Sequence, residues 1–99
     1  MTKSYVVVLL DVKDKALYAE YAQRATEIED RYGGHAMVAT EVAEVAEGSW
    51  PSERLVVLEF PTMAQARAWY NDPDYQALIP MRTTATDSTL AFVPGFPAD

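Results

Sequence analysis

The sequence predicts one α+β domain, residues 1–99, with an open four-stranded antiparallel sheet made from two β-α-β halves. Strand-like stretches rich in Val and Leu alternate with helical stretches whose apolar residues recur every three or four positions. Along the chain these stretches follow the order β-α-β-β-α-β. With 99 residues the chain is too short for two independent hydrophobic cores, so both halves must share one.

The first strand and the first helix are predicted by a change in apolar spacing. Residues 4–12 (SYVVVLLDV) are apolar at both alternating sets of positions, which is typical of a central strand covered on both faces. From Lys15 to Tyr32 the apolar residues fall on one side of a helix, and charged residues fill the other side. We expect Asp14 to cap this helix and Gly33-Gly34 to end it.

A β-hairpin is predicted next. Residues 35–46 (HAMVATEVAEVA) predict a long second strand with a bulge near Thr40-Glu41. Residues 47–51 (EGSWP) predict a turn, and residues 53–60 (ERLVVLEF) predict the third strand. The second and third strands are therefore expected to pair.

A second helical region and a last strand complete the chain. Thr62, followed three residues later by Gln65, predicts a capped helix start. That helix must break at residues 71–73 (NDP), because proline cannot continue it. A short helix over residues 74–83 and a strand over residues 88–94 follow. With right-handed crossovers, this order predicts a ferredoxin-like sheet that carries its helices on one face.

The predicted sheet has one face that the helices do not cover. The first strand is apolar on both faces, whereas the helices shield only one. A large exposed apolar face marks an interaction site. We therefore expect a homodimer in which two copies pack sheet to sheet about a twofold axis. The alternative is a monomer with a modestly apolar face.

Composition and charge exclude several classes of function. The net charge is −7, the three lysines lie near the N-terminus and the five arginines are scattered, so we expect neither nucleic acid nor an anionic membrane as a partner. No apolar run is long enough for a membrane span. Without cysteine there are no disulfides, thiolate nucleophiles or thiolate metal sites. The N-terminal residues show no signal-like apolar stretch, so we expect a cytoplasmic protein.

Several motifs resemble one known family over essentially the whole chain. They are Gly33-Gly34, then Glu47-Gly48-x-Trp50-x-x-x-Arg54-Leu55-Val56-Val57-x-Glu59-Phe60-Pro61-Thr62, then Ala66-x-x-Trp69-Tyr70-x-x-x-x-Tyr75, and Arg82. The sequence thus resembles domain-of-unknown-function family 1330. This resemblance implies membership of the dimeric α+β barrel superfamily and, with it, the sheet-to-sheet homodimer. It implies no activity, although more distant relatives include cofactor-free monooxygenases, small-molecule isomerases and haem enzymes.

The sequence departs from the family pattern at one segment of the second strand. Where the family usually carries Arg-Gly-Gly, this chain has Ala39, Thr40 and Glu41. If that arginine helps relatives to bind an anion, this chain has lost it. The resemblance therefore gives less information about the ligand.

Four residues are candidates for ligand binding: Arg54, Trp69, Tyr75 and Arg82. Arg54 lies on the apolar face of the third strand, opposite to Glu59. It either reaches the strand end, pairs with a protein carboxylate, or binds a ligand carboxylate through two hydrogen bonds. Arg82 is spaced to approach Tyr75, and with Trp69 these residues can form the wall of a small-molecule pocket. The alternative is that the aromatic residues belong to the core.

His35 is the only histidine and begins the second strand. It is either a general base or a solvated strand residue. We expect no metal at this position, because the chain offers no second histidine and no cysteine. Haem binding through His35 is a further hypothesis, for which we expect a negative result.

Two hypotheses about function follow. In the first, a homodimer binds or transforms a small acidic or enolic molecule between sheet and helices without a cofactor, in the manner of a cofactor-free monooxygenase or an isomerase if it is an enzyme. In the second, the chain is a non-catalytic dimerisation or stress-associated module. A cavity of roughly 300 Å³ or more lined by Arg54, Tyr75 and Arg82 favours the first. A filled interior, with each arginine paired to a protein carboxylate by two hydrogen bonds, favours the second.

Overall fold

A computed structural model describes residues 2–41 and 43–97 of the chain. Its elements are β1 (Ser4–Val12), α1 (Lys15–Arg31), β2 (His35–Thr40), β3 (Arg54–Phe60), α2 (Met63–Asn71), α3 (Pro73–Ala85) and β4 (Thr86–Pro94). The strands form one antiparallel sheet in the order β2-β3-β1-β4. The predicted α+β, ferredoxin-like fold is confirmed.

The helices cover one face of the sheet, and the hydrophobic core lies beneath them. Val6, Val8 and Leu10 of β1 point to this side, and the strand register places Leu58 of β3 beside Val6. The helices contribute Tyr21, Ala25, Ile28, Ala66, Trp69, Tyr75 and Leu78 to this core. The Cα extents of 38 × 37 × 15 Å correspond to one sheet layer and one helix layer. In the described part of the chain, no helix is long and apolar enough to cross a membrane.

The opposite face of the sheet carries apolar side chains without a helix above them. We call it the outer sheet face; its apolar residues are Tyr5, Val7, Leu9, Val38, Leu55, Val57, Ala91 and Val93. Val38 and Val93 keep 37% and 39% of their surface exposed. The bare apolar face expected from the first strand is therefore present in the single chain.

The two predicted helix caps are confirmed. Asp14 accepts a hydrogen bond from the Leu17 N–H at 3.0 Å at the start of α1, and Thr62 accepts one from the Gln65 N–H at 3.1 Å at the start of α2. The side-chain amide of Gln65 also donates to the carbonyl oxygen of Tyr32 at 3.1 Å. This bond ties the start of α2 to the end of α1.

The second strand is shorter than the sequence predicts. β2 ends at Thr40 and not at residue 46; within the predicted strand, Val42 lies outside the described residues. Pairing stops because β3 offers no partner beyond this point. Glu53, which precedes β3, donates its N–H to the side chain of Asp11 at 2.7 Å.

Three smaller boundaries also differ from the prediction. The register of β2 shifts between Ala36 and Val38, and not near Thr40-Glu41. α3 (Pro73–Ala85) is longer than predicted at both ends. At its start, Pro73 is included because proline is compatible with the first helical position. β4 begins at Thr86, directly after this helix, and not at residue 88.

Candidate functional site

A cavity of about 120 Å³ lies between α1 and the helix-covered face of the sheet. Its floor consists of apolar side chains of β1 and β3, namely Val8, Leu10, Val56 and Leu58. Its exposed lining residues are Thr26 on α1 and Ala36 and Ala39 on the edge strand β2. The cavity therefore opens between α1 and β2, where small side chains leave a gap.

Arg82 brings a buried positive charge to this cavity from α3. Only 6% of its surface is exposed. Its Nη1 donates to the Ser88 hydroxyl at 2.7 Å, while its Nε–H has no hydrogen-bond acceptor among the described residues. Within the same residues, no carboxylate lies at ion-pair distance from it. A buried charge without an opposite charge is costly, so this guanidinium favours an anionic partner.

Trp69 and Tyr75 form the aromatic wall behind Arg82. Trp69 lines the cavity, and its buried Nε1–H has no acceptor in the described part of the chain. The Tyr75 ring is fully buried with its centroid 4.1 Å from that of Trp69, and its hydroxyl lies 2.7 Å from the Tyr21 hydroxyl. Burial raises the pKa of both Tyr21 and Tyr75 above the usual range, so both hydroxyls stay neutral.

Arg54 lies on β3 between the cavity and the solvent. Its Nε donates to the Tyr18 hydroxyl at 3.3 Å, and its guanidinium carbon lies 5.5 Å from the centre of the Tyr18 ring. Its Nη1 is 3.7 Å from a carboxylate oxygen of Glu41, whose side chain is 70% exposed. An ion pair this exposed contributes little, so an anionic ligand group can compete for the guanidinium.

Glu29 is a buried carboxyl group in the same cavity. It lies on α1, lines the cavity and keeps only 6% of its surface exposed. Burial raises the pKa of Glu29 to about 7, and the negative charge of neighbouring Asp30 adds to the shift. Among the described residues no cation forms an ion pair with it. The cavity thus contains a carboxyl group that can hold or release a proton near neutral pH.

Three of the four predicted site residues meet in this cavity. Arg54, Trp69 and Arg82 line it, whereas Tyr75 packs behind Trp69. The cavity is smaller than the roughly 300 Å³ expected under the first hypothesis, and Tyr75 does not line it, so that expectation is met only in part. Within the described residues, neither arginine makes the two-bond carboxylate pair expected of a purely structural role. Ligand binding by these four residues stays a prediction.

His35 lies on the other side of the sheet from the cavity. It is paired in register with Glu59, and its Nε2 is 3.5 Å from a Glu59 carboxylate oxygen. Glu59 also accepts hydrogen bonds from the Tyr5 hydroxyl at 3.1 Å and the Lys3 ammonium at 3.3 Å. Burial acts to raise the pKa of Glu59, but these hydrogen bonds outweigh it and hold the pKa below the usual value. His35 therefore belongs to a polar cluster at one end of the outer sheet face, which comprises Lys3, Tyr5, His35 and Glu59.

Comparison with known protein families shows which family the chain belongs to. Residues 3–96 match the family described as a domain of unknown function, DUF1330. The chain belongs to the DUF1330 family. The resemblance seen in the sequence motifs is thereby confirmed, and the DUF1330 match spans every helix and strand of the fold. A search of curated proteins found no match to this chain.

Solved structures share the fold of this DUF1330 chain. A protein of unknown function from Rhodopseudomonas palustris has a TM-score of 0.79 at 17% identity, with 98% of this chain and 85% of that chain covered. SnoaB, a cofactor-independent oxygenase from Streptomyces nogalater, has a TM-score of 0.67 at 14% identity, covering 100% and 95%. A dimeric ferredoxin-like protein of unknown function from Thermobifida fusca has a TM-score of 0.59 at 11% identity, covering 92% and 89%. The TM-scores show a common fold, and at these low identities they show nothing about function.

In this DUF1330 chain, the segment that departs from the family pattern lies at the opening of the cavity. Ala39 lines the cavity, and Glu41 approaches Arg54. The arginine expected from the pattern on β2 is absent. Arg54 supplies a cation to the cavity from the adjacent strand β3.

Glu29 is the residue of the DUF1330 site that sequence reasoning missed. One signal was available: Glu29 follows Ala25 by four residues and Tyr21 by eight, so it falls on the apolar side of α1. A glutamate on a helix normally lies on the solvated side, and apolar spacing alone does not single out an exception. Its burial in the cavity becomes visible only in the folded structure.

Proposed function

We propose that this DUF1330 protein binds a small acidic or enolic molecule in the cavity between α1 and the sheet. The observation that carries the proposal is Arg82, a buried cation in the cavity whose polar partners are neutral hydroxyl groups. A carboxylate or enolate oxygen beside Arg82 would supply the negative charge that this guanidinium lacks among the described residues.

The other site residues have distinct parts in this proposal. Trp69 forms an apolar wall for the ligand, and Tyr75 holds that wall from behind without lining the cavity. Arg54 attracts the ligand at the opening, where its only carboxylate neighbour among the described residues is the exposed Glu41. A cavity of about 120 Å³ favours a compact ligand.

The structural neighbours support a small-molecule site on this fold. SnoaB is described as a cofactor-independent oxygenase, so the same sheet and helices carry cofactor-free chemistry in that protein. A shared fold does not transfer a reaction. The proposal is therefore limited to binding of a small organic molecule without a cofactor. The cytoplasmic location expected from the sequence stays a prediction.

We also propose that a second copy of the chain covers the outer sheet face. The apolar residues at its centre lie on all four strands, and no helix of the described chain covers them. The Thermobifida fusca neighbour is described as dimeric, which supports the same arrangement. A homodimer leaves the cavity accessible, because the cavity lies on the helix side of each sheet.

Ligand-detected NMR with pyruvate, acetoacetate and acetylacetone tests the binding proposal. We expect binding to wild-type protein to be weakened about tenfold or more by Arg82→Gln, because a charge-assisted hydrogen bond to a buried oxygen contributes about 1.5–3 kcal/mol. Arg67→Gln is the matched control, since Arg67 is an exposed arginine on α2 away from the cavity. Circular dichroism verifies that each variant folds. Equal binding by Arg82→Gln and Arg67→Gln, or no binding of any probe to wild type, contradicts the proposal.

A further inference from the structure

Glu29 gives the cavity a reactive group in addition to its binding groups. We propose that Glu29 is a proton acceptor and that the site moves a proton on the carbon next to the carbonyl group of a small 2-oxo acid or β-dicarbonyl compound. This inference rests on the proposed binding function, and it adds the class of reaction and the residue that performs it.

The cavity holds a base, the Glu29 carboxylate, apart from a cation that can bind a ligand oxygen, the Arg82 guanidinium. Glu29 approaches from α1 and Arg82 from α3, and Ser88 on β4 anchors the arginine at 2.7 Å. The two charged groups line the same space without pairing with each other. Because both residues line one cavity, a ligand that spans it can place its oxygen at Arg82 and its acidic C–H at Glu29.

The resulting step is balanced without any further reactant. The Glu29 carboxylate takes the proton from the α-carbon, the C–H electron pair forms the new carbon–carbon double bond, and the carbonyl electron pair moves to oxygen. The enolate oxygen is stabilised by the Arg82 N–H groups. Return of the proton from Glu29 to the same carbon gives exchange, and its return to another carbon of the enolate gives an isomer.

The surroundings of Glu29 favour its role as a proton acceptor. A general base works best when its pKa lies near the working pH, and burial brings the pKa of Glu29 to about 7. The other titratable or charged residues that line the cavity are Tyr18 and Tyr21 on α1, Arg54 on β3 and Arg82 on α3. β1 and β2 contribute only aliphatic side chains to the lining. A carboxyl group that served packing alone would instead be expected to find a buried hydrogen-bond donor.

The inference is tested by following, with proton NMR in D₂O, the exchange of the α-protons of small probe molecules for deuterium. The probes are 2-oxobutanoate and acetylacetone, whose α-protons are resolved. We expect wild-type protein to accelerate their exchange, and Glu29→Gln to lower this acceleration about 100-fold or more while probe binding stays within about threefold. The rate should rise with pH through the pKa of Glu29 and then level off, because only the carboxylate accepts a proton. Glu27→Gln is the matched control, since Glu27 is an exposed glutamate on the same helix.

The outcomes separate this inference from the proposal of binding. Probes that bind to wild type but exchange equally fast with Glu29→Gln overturn the proton-transfer inference and leave binding intact. Failure of both probes to bind overturns both. If Glu29→Gln does not fold, Glu29→Asp provides the test: withdrawing the carboxylate by one methylene should slow exchange without abolishing binding, and unchanged exchange overturns the inference.

Discussion

At the scale of single residues, the cavity combines groups that are costly to bury. Glu29 and Arg82 each keep 6% of their residue surface exposed, and neither has an ion partner among the described residues. Replacement by apolar residues of similar size would be expected to stabilise the fold. Costly polar groups that line one cavity are typical of a functional site, where stability is given up for chemistry.

Glu29→Gln should therefore stabilise the protein at alkaline pH. The pKa of Glu29 is about 7 in the folded protein, against 4.5 as its ordinary value. Between pH 4.5 and 7 the folded protein keeps the Glu29 proton, whereas the unfolded chain releases it. The stability contributed by protonated Glu29 is therefore full below pH 4.5 and is lost as the pH rises through 7. Glutamine has no proton to lose, so Glu29→Gln avoids this loss. The loss amounts to about 3 kcal/mol at most.

Urea unfolding at pH 5 and pH 8.5 measures this effect. Glu29→Gln should exceed wild type in free energy of unfolding by about 1–3 kcal/mol at pH 8.5 and by much less at pH 5. The exposed Glu27→Gln should follow wild type at both values. Parallel pH dependence of wild type and Glu29→Gln would refute a raised pKa at this position.

At the scale of elements, the turn between α1 and β2 connects two elements that line the cavity. Gly33 has a φ of +75°, a left-handed conformation in which glycine is strongly favoured. Gly34 packs so closely that an added Cβ would lie 2.2 Å from Cε1 of Phe60. The Phe60 ring in turn lies 5.5 Å from the Trp69 ring, centroid to centroid. Gly34 thus allows the start of β2 to pack directly against Phe60, the ring next to Trp69.

Gly34→Ala should destabilise the fold and disturb Trp69. The Phe60 ring is fully buried and cannot move away freely, so we expect a loss of about 1–3 kcal/mol in free energy of unfolding. Gly48→Ala is the comparison, since an added Cβ there meets nothing within 4 Å and only the φ of +79° is unfavourable, at about 1–2 kcal/mol. Urea unfolding followed by tryptophan fluorescence measures both. A native emission spectrum that changes equally in both variants would argue against the proposed contact.

The elements also show how far the sequence determines the structure. β1 has the predicted bounds because a run that is apolar on both sides is suited to an inner strand of the sheet. The end of β2 was predicted wrongly because it depends on a distant partner: Thr40 pairs with Leu55, and β3 begins only one residue earlier, at Arg54. In the cavity, Arg54, Trp69 and Arg82 could be predicted by residue type. Glu29 could not, since its burial depends on tertiary packing.

At the scale of the whole molecule, two layers leave one side of the sheet bare. A standard interface buries about 800 Å² on each partner, about an eighth of the 6161 Å² accessible surface of the chain. The outer sheet face is apolar at its centre and polar at its ends. At one end Glu59 is paired with Lys3 and Tyr5, and at the other Asp11 accepts from the Glu53 N–H. Glu59 already has Lys3 as an ion partner and Asp11 has a hydrogen-bond donor, so a second copy can cover the face without leaving either carboxylate without a hydrogen bond.

Val57→Arg should dissociate the dimer that this surface favours. Val57 lies on β3 between β1 and β2, so a charge at this position would be buried at the centre of the contact. In sedimentation velocity at micromolar concentration, wild type should have the mass of two 11.0 kDa chains and Val57→Arg the mass of one. Ala68→Arg, on the exposed side of α2, is the matched control and should remain a dimer. Wild-type protein with the mass of one chain would show that the outer sheet face has no second copy to cover it, whereas a dimeric Val57→Arg would place the contact elsewhere on the molecule.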